Sequence, residues 1–181
     1  TTFAILIDFS MIIRRAFYPI LVATQTIPLI VLAPLMIIWF GFGLTPKIIL
    51  VALITFFPIT VGWVDGFASS DREASNLLRT MGANRWQIFR KVRLPTALPS
   101  FFSGLRIAIV YSVIGAIFAE YAGARDGLGI FIRIQQSAFR TDLTIAAVFV
   151  VAGVSILLFT LTYLVQRLTI PWYFATRRAN S

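Results

Sequence analysis

Apolar residues fall along this chain in long blocks, and the polar stretches between them mark the elements. Blocks cover 17–40, 48–67, about 95–120 and 143–165, the last with twenty-three residues and no charge. A helix rises about 1.5 Å per residue and a bilayer core is about 30 Å thick, so each block is long enough to cross. The opening block, 1–13, is apolar apart from Asp8 but reaches only about 20 Å, and it reads as the end of a span that began earlier. The pattern predicts an all-α, polytopic transmembrane helical bundle. It contains about four full spans plus a truncated N-terminal span, in a single membrane domain over 1–181.

One long polar segment, 70–95, interrupts this pattern, and its grammar is helix, turn, helix. Ser70 with Glu73 three residues later fits a capping box, opening a helix that runs to about Met81. Gly82 stands where a helix end favours a left-handed residue. Asn84 and Gln87 repeat the capping pattern, and Leu94-Pro95 is expected to end the second helix because proline disfavours the α region in the residue before it. Leu77 and Met81 lie one turn apart beside Leu78, while Trp86, Ile88, Phe89 and Val92 set apolar surface among cations.

The spans carry their own signals. Pro19, Pro28 and Pro34 with Thr24, Gln25 and Thr26 predict a kinked helix that lines a pathway or forms a helix–helix hydrogen bond. The stretch 41–47 reads as a tight external turn. Further on, Gly104, Ala108, Ser112, Gly115 or Ala116, and Ala119 recur every three to four residues, which lets another backbone approach or leaves room for a solute. Tyr111 and Ser112 fall about 20 Å along that helix, in the membrane interior. Gln25, Thr26, Pro28, Gly104, Ala108, Tyr111, Ser112 and Gly115 are therefore the pathway candidates. Glu120, near the outer surface, reads as a snorkelling or salt-bridged carboxylate. Beyond it, turns at Gly123, Gly127 and Gly129 lead to a short interfacial helix, and Thr141 is placed to cap the last span.

Composition agrees with the membrane assignment: 59% of residues are hydrophobic and the mean hydropathy is +0.88. The net charge of +9 comes from cations beside apolar spans, where positive charge sets topology, so no nucleic-acid partner is implied. Of the sixteen cations, twelve fall on the side of segment 70–95 and four (Lys47, Arg125, Arg133, Arg140) on the other, which places that segment in the cytoplasm. The absence of cysteine and histidine excludes disulfides and the usual zinc sites, and no metal ligand set is expected. No phosphate-binding G-x-x-x-x-G-K-[ST] loop occurs. A membrane-embedded enzyme would need clustered carboxylates or histidines, and a proton-driven carrier would need ionisable groups at mid-membrane, where only Asp8 and Glu120 are offered.

Glu73-Ala74, then Gly82 nine residues on, then Leu94-Pro95 twelve beyond it, resemble the cytoplasmic loop of permease subunits of bacterial ATP-binding-cassette importers. Ala97, Pro99, Gly104-Leu105-Arg106 and Gly127-Leu128-Gly129 are similar to the branch importing nitrate, sulfonates, taurine and thiamine-precursor pyrimidines. Ser75 stands where a second alanine is usual. The resemblance implies a multi-pass protein of the bacterial inner membrane that works as a pair of copies. Its partners would be an ATPase dimer, which binds ATP and Mg, an extracytoplasmic solute-binding protein, and membrane lipid. The permease itself would bind no cofactor and catalyse no reaction. Glu73, Ala74, Leu77, Met81, Gly82, Ala83, Trp86, Phe89, Leu94 and Pro95 would then form the ATPase-coupling element, and Arg133 and Arg140 would meet the binding protein. Tyr111–Tyr121 with 139–143 look most similar to importers of thiamine precursors and flavins. Sulfonates, taurine and nitrate are the alternative solutes, and an ion-gradient-driven carrier is the more remote one.

Overall fold

The computed structural model describes residues 26–173, and the regular structure among them is helical throughout. In chain order the helices are Leu29–Phe40 (α1), Leu44–Ala68 (α2), Arg72–Thr80 (α3) and Arg85–Ile88 (α4). A π-helical turn, Phe89–Arg93, then leads into Leu94–Gly123 (α5), Leu128–Ser137 (α6) and Thr141–Thr169 (α7). Among the described residues, three stretches are long and apolar enough to cross a membrane: Leu44–Ala68, Arg85–Gly123 and Thr141–Thr169. The shorter α1 has 12 residues.

Several boundaries differ from expectation for local reasons. The block 17–40 is not one helix in its described part, because 26–28 are non-helical and α1 starts after Pro28, which is extended. Proline has no amide to donate and holds the residue before it out of the α region, so a helix starts readily just after it. Residues 17–25, with Gln25, and Asp8 lie outside the described residues. The turn expected over 41–47 is confined to Gly41–Gly43, both glycines having positive φ. Leu44 already begins α2, since Pro46 falls in its first turn, where a missing donor is harmless.

The largest departure is at Leu94-Pro95, which do not end a helix. Leu94 is α-helical and its amide bonds the Phe89 carbonyl five residues back, so Arg85–Gly123 runs on through the π turn. Widening the helix by one residue there accommodates the proline inside a continuous rod.

The chain divides into two compact units. In the described residues, one holds 58–106 and 161–173. Its core joins Trp63 and Phe67 of α2, Phe89 of the π turn and Ala97 of α5, with Ile59, Leu94, Leu98 and Phe101 packed around them. Glycine lets the two helices meet backbone to backbone. A β-carbon on Gly66 would stand 2.7 Å from the Ala97 carbonyl oxygen, one on Gly62 2.8 Å from that of Ser100, and one on Gly104 would strike the Pro58 carbonyl.

The other unit holds 26–57 and 107–160. Ala33 and Met36 of α1, Leu50 and Ile54 of α2, and Ala119 of α5 form its core. Here α2 and α5 touch through side chains, with the Ile54 Cδ1 atom 2.9 Å from a β-carbon built on Gly115.

Candidate functional site

Asp71, and not Ser70, caps α3: its carboxylate accepts from the amides of Glu73 (2.8 Å) and Ala74 (3.3 Å). Ser70 still belongs to the turn that closes α2, with its amide on the Phe67 carbonyl, so the cap falls one residue later than the serine pattern implied. The Ser75 hydroxyl donates to the Asp71 carbonyl. At the other end of α3, Gly82 has φ +81°, its amide bonds the Arg79 carbonyl, and the Ala83 amide bonds that of Leu78. These two bonds form a Schellman closure around a left-handed residue. The second helix opens as expected. The Gln87 amide donates to Asn84 Oδ1 and the Asn84 amide to Gln87 Oε1, both at 2.8 Å.

Held at both ends, α3 has no buried residue, and only Ala74, Ser75 and Leu78 are partly covered; a polar stripe borders a cavity on one side and an apolar side faces away from it. At about 100° per residue, Arg72, Ser75, Asn76 and Arg79 form one stripe, and Leu77 and Met81 lie on the opposite side. That stripe lines a cavity shared with the π turn and the end of α2, whereas Leu77 is 63% exposed, Met81 73% and Trp86 64%. Glu73 and Gly82 are exposed, and Ala74, Ala83, Leu94 and Pro95 are partly covered. Phe89 differs from the others, since at 5% exposure it belongs to the core. The π turn rotates it inward between neighbouring aromatic rings. Ring centroids run from Trp86 to Phe89 at 5.5 Å, to Phe67 at 5.7 Å, to Trp63 at 5.4 Å and to Phe101 at 4.5 Å. This aromatic line leads from the exposed Trp86 to α2 and α5.

The small-residue stripe of α5 is mostly a packing seam. Gly104 and Gly115 face α2 at close range, so they are not open to a solute, and Ala108 is buried. The Ser112 hydroxyl donates to the Ile109 carbonyl. Among the pathway candidates, Tyr111, Thr26 and Pro28 are exposed.

Around α6 the structure supplies roles that the residue pattern did not. Glu120 makes no ion pair among the described residues; its Oε2 accepts from the Gly129 amide at 2.6 Å. A carboxylate from α5 thus caps the N-terminus of α6, where the helix dipole favours it. A side chain on Gly127 would collide with that carboxylate, and one on Gly129 would sit 2.5 Å from the Ile117 carbonyl oxygen. Gly129 is therefore required by close approach to backbone, and Gly127 by its φ of +136°. Arg133 donates to the Tyr121 carbonyl at 2.7 Å, and the Tyr121 hydroxyl lies 3.2 Å from Gln136 Oε1, so Arg133 braces α6 on α5. Arg140 pairs with Asp142 at 3.6 Å, both side chains well exposed. Between the helices Phe139 has φ +54°, in a second Schellman closure made by Phe139 to Gln136 and Arg140 to Gln135. It is 93% exposed. Glycine would fill that position with less strain, so the aromatic ring there is a feature that no motif announced.

Among the described residues, no group of three or more His, Cys, Asp or Glu is placed to hold a metal ion. The geometry therefore offers surfaces and a seam.

Known proteins are similar in sequence to this chain along most of its length. The formylaminopyrimidine transport permease protein of Halalkalibacterium halodurans is 42% identical over 160 residues, covering 88% of this chain and 64% of the relative. The riboflavin transport system permease protein of Chloroflexus aurantiacus is 40% identical, covering 88% and 60%. The taurine transport system permease protein of Escherichia coli is 32% identical, covering 89% and 58%. The chain thus spans about three fifths of the length of these relatives. Residues 1–174 match the family described as binding-protein-dependent transport system inner membrane component. With nearly its whole length matched and three helices able to cross a membrane, the chain belongs to that family of integral inner-membrane proteins.

Proposed function

We propose that this chain is the permease subunit of an ATP-driven importer, which forms a solute pathway and couples it through segment 70–95 to a separate ATPase. The observation that carries this reading is the outward-facing apolar side of α3. A nine-residue helix with both ends satisfied turns Leu77 and Met81 to water, with Trp86 beside them on α4, and such surface calls for a protein partner. The aromatic line from Trp86 to Phe101 supports a mechanical connection from that partner to α2 and α5, with Phe89 relaying motion and not docking. Membership of the family supports ATP as the energy source, with ATP and Mg on the ATPase. It equally supports two copies of the chain around one pathway, each presenting one coupling segment to a two-fold ATPase pair. The bias of cations supports a cytoplasmic location for the segment.

A thiamine-precursor pyrimidine or similar heterocycle is the solute we favour, because the relatives named for formylaminopyrimidine and riboflavin transport are 42% and 40% identical, against 32% for the one named for taurine. Reconstitution of the full-length permease with its ATPase and binding protein tests this reading. ATP-dependent accumulation of formylaminopyrimidine, with little taurine uptake, is the expected result. Uptake driven by a proton gradient without ATP would end the importer reading, and preference for taurine or another sulfonate would end the pyrimidine assignment.

Residues 127–140 are assigned to contact with the solute-binding protein. Arg140 is the cleaner probe, since its exposed pair with Asp142 contributes well under 1 kcal/mol to stability, while Arg133 also ties two helices together. Arg140→Glu is expected to weaken docking of the loaded binding protein about tenfold, an effect of about 1.4 kcal/mol, with basal ATP hydrolysis retained. Unchanged affinity in a surface-binding measurement would remove that segment from the interface.

A further inference from the structure

Three sides of the cavity under α3 are cationic. It measures about 680 Å³ and is lined by Arg72 and Arg79 of α3, Arg85 of α4 and Arg93 of the π turn, together with Ser70, Ser75 and Asn76, over a floor that includes Phe67 and Phe89. Among the described residues, no carboxylate lines it. The cavity of about 510 Å³ at the other end of α2 is instead mixed, with Asp126, Lys47 and Arg125 all among its lining. Arg93 stacks over the Phe67 ring, 6.0 Å from its centroid. Among the described residues, the guanidinium groups of Arg72, Arg79 and Arg85 have no hydrogen bond or ion pair to protein. Like charges gathered around one space repel unless an anion sits among them.

We propose that this cavity is a phosphate site filled by the headgroup of an anionic membrane phospholipid. Its position selects the lipid. Phe67 and Ala68 close one candidate span, Leu44–Ala68, and Arg85–Arg93 open another, Arg85–Gly123, so the cavity lies where a bilayer surface presents phosphates. Arginine forks bond phosphate oxygens in pairs, and the Asn76 amide and the Ser70 hydroxyl supply further contacts, the Ser75 hydroxyl being already donated to the Asp71 carbonyl. The volume falls within the range of about 300–1,000 Å³ usual for ligand sites. Basic pockets at the cytoplasmic ends of membrane helices hold anionic headgroups for these reasons. The site is independent of ATPase docking, because its stripe is on the face of α3 opposite Leu77 and Met81.

The test uses the full-length permease in nanodiscs of phosphatidylcholine with phosphatidylglycerol, with retained lipids counted by native mass spectrometry after detergent extraction. Each surface cation is worth about fivefold in binding, so Arg72→Gln with Arg79→Gln is expected to lower phosphatidylglycerol retention about twenty-five-fold and leave phosphatidylcholine unchanged. If that pair does not assemble, Arg79→Gln alone, on an exposed helix, is expected to lose about fivefold. Equal retention by variant and parent overturns the site. A second arm adds millimolar inorganic phosphate at fixed ionic strength, and binding of phosphate with no preference for phosphatidylglycerol overturns the lipid assignment. Loss of ATPase association, measured separately, with lipid retention intact would show that the arginines serve a protein contact and would also overturn it.

Discussion

Gly82→Val should reach the membrane at near-normal abundance and yet transport roughly five- to thirty-fold more slowly than the parent. The residue sits at φ +81°, and a β-carbon there would meet no atom within 4 Å, so the substitution acts through the backbone alone. A β-branched side chain in the left-handed region costs about 1–2 kcal/mol, and the local escape is to abandon the closure made by the Gly82 and Ala83 amides. The direction of α3 relative to α4 then changes, and the docking-competent arrangement becomes roughly five- to thirty-fold rarer. Leu77 and Met81 part from Trp86, and ATP hydrolysis no longer reaches the aromatic line. The spans insert on their own hydrophobic drive, so abundance is unaffected. Gly82→Asn should keep most of the activity, because asparagine tolerates this conformation. The measurement is uptake beside ATPase activity in reconstituted vesicles, with assembled complex quantified in parallel. A valine variant that assembles and transports like the parent would reduce segment 70–95 to an ordinary linker.

At the other end of α3 the residue to change is Asp71, since it makes the cap. Asp71→Ala should act in the same direction as the Gly82 variant at about 1 kcal/mol, whereas Glu73→Ala removes only a favourable helix-dipole charge worth a few tenths. The comparison also shows where sequence reasoning loses resolution. Ser70 and Asp71 are both good caps, and what selects between them is the turn that ends α2, with the Ser69 and Ser70 amides bonded to Asp65 and Phe67. The Asn84–Gln87 box and the Gly82 closure were legible because every bond in them is local. Continuity through Leu94-Pro95 was not, since it depends on a π turn and on packing of Phe89 against Phe67 and Trp63. Glu120 was hidden for the same reason: its partner, the Gly129 amide, is nine residues away and is brought near by the turn between α5 and α6. The exposed rings of Leu77's neighbour Trp86 and of Phe139 were readable as apolar residues, but only the fold decides that they face outward.

The heaviest loss of assembled protein should come from Gly104→Ala. Spacing alone left its stripe open to two uses, close packing or room for a solute, and the two predict opposite outcomes for a single methyl group. A methyl on Gly104 points at the Pro58 carbonyl, and the Gly62 Cα lies 3.2 Å away. Both obstacles are backbone of α2, so nothing small can move aside. Relief needs the two helices to separate, which opens the core of Trp63, Phe67 and Ala97; overpacking of this kind costs about 1–3 kcal/mol. The same methyl on Gly115 meets the Ile54 Cδ1 atom at 2.9 Å, and the next contact, Val51 Cγ2, is at 3.7 Å. A side-chain end can rotate, so Gly115→Ala should cost well under 1.5 kcal/mol. Fluorescence-detected size exclusion with a thermal ramp separates the two: Gly104→Ala should lose several degrees and much of its monodisperse peak, and Gly115→Ala should stay close to the parent. If instead Gly104→Ala assembled normally and transport alone changed, position 104 would stand open to the solute, and the seam between α2 and α5 would be looser than its glycines require.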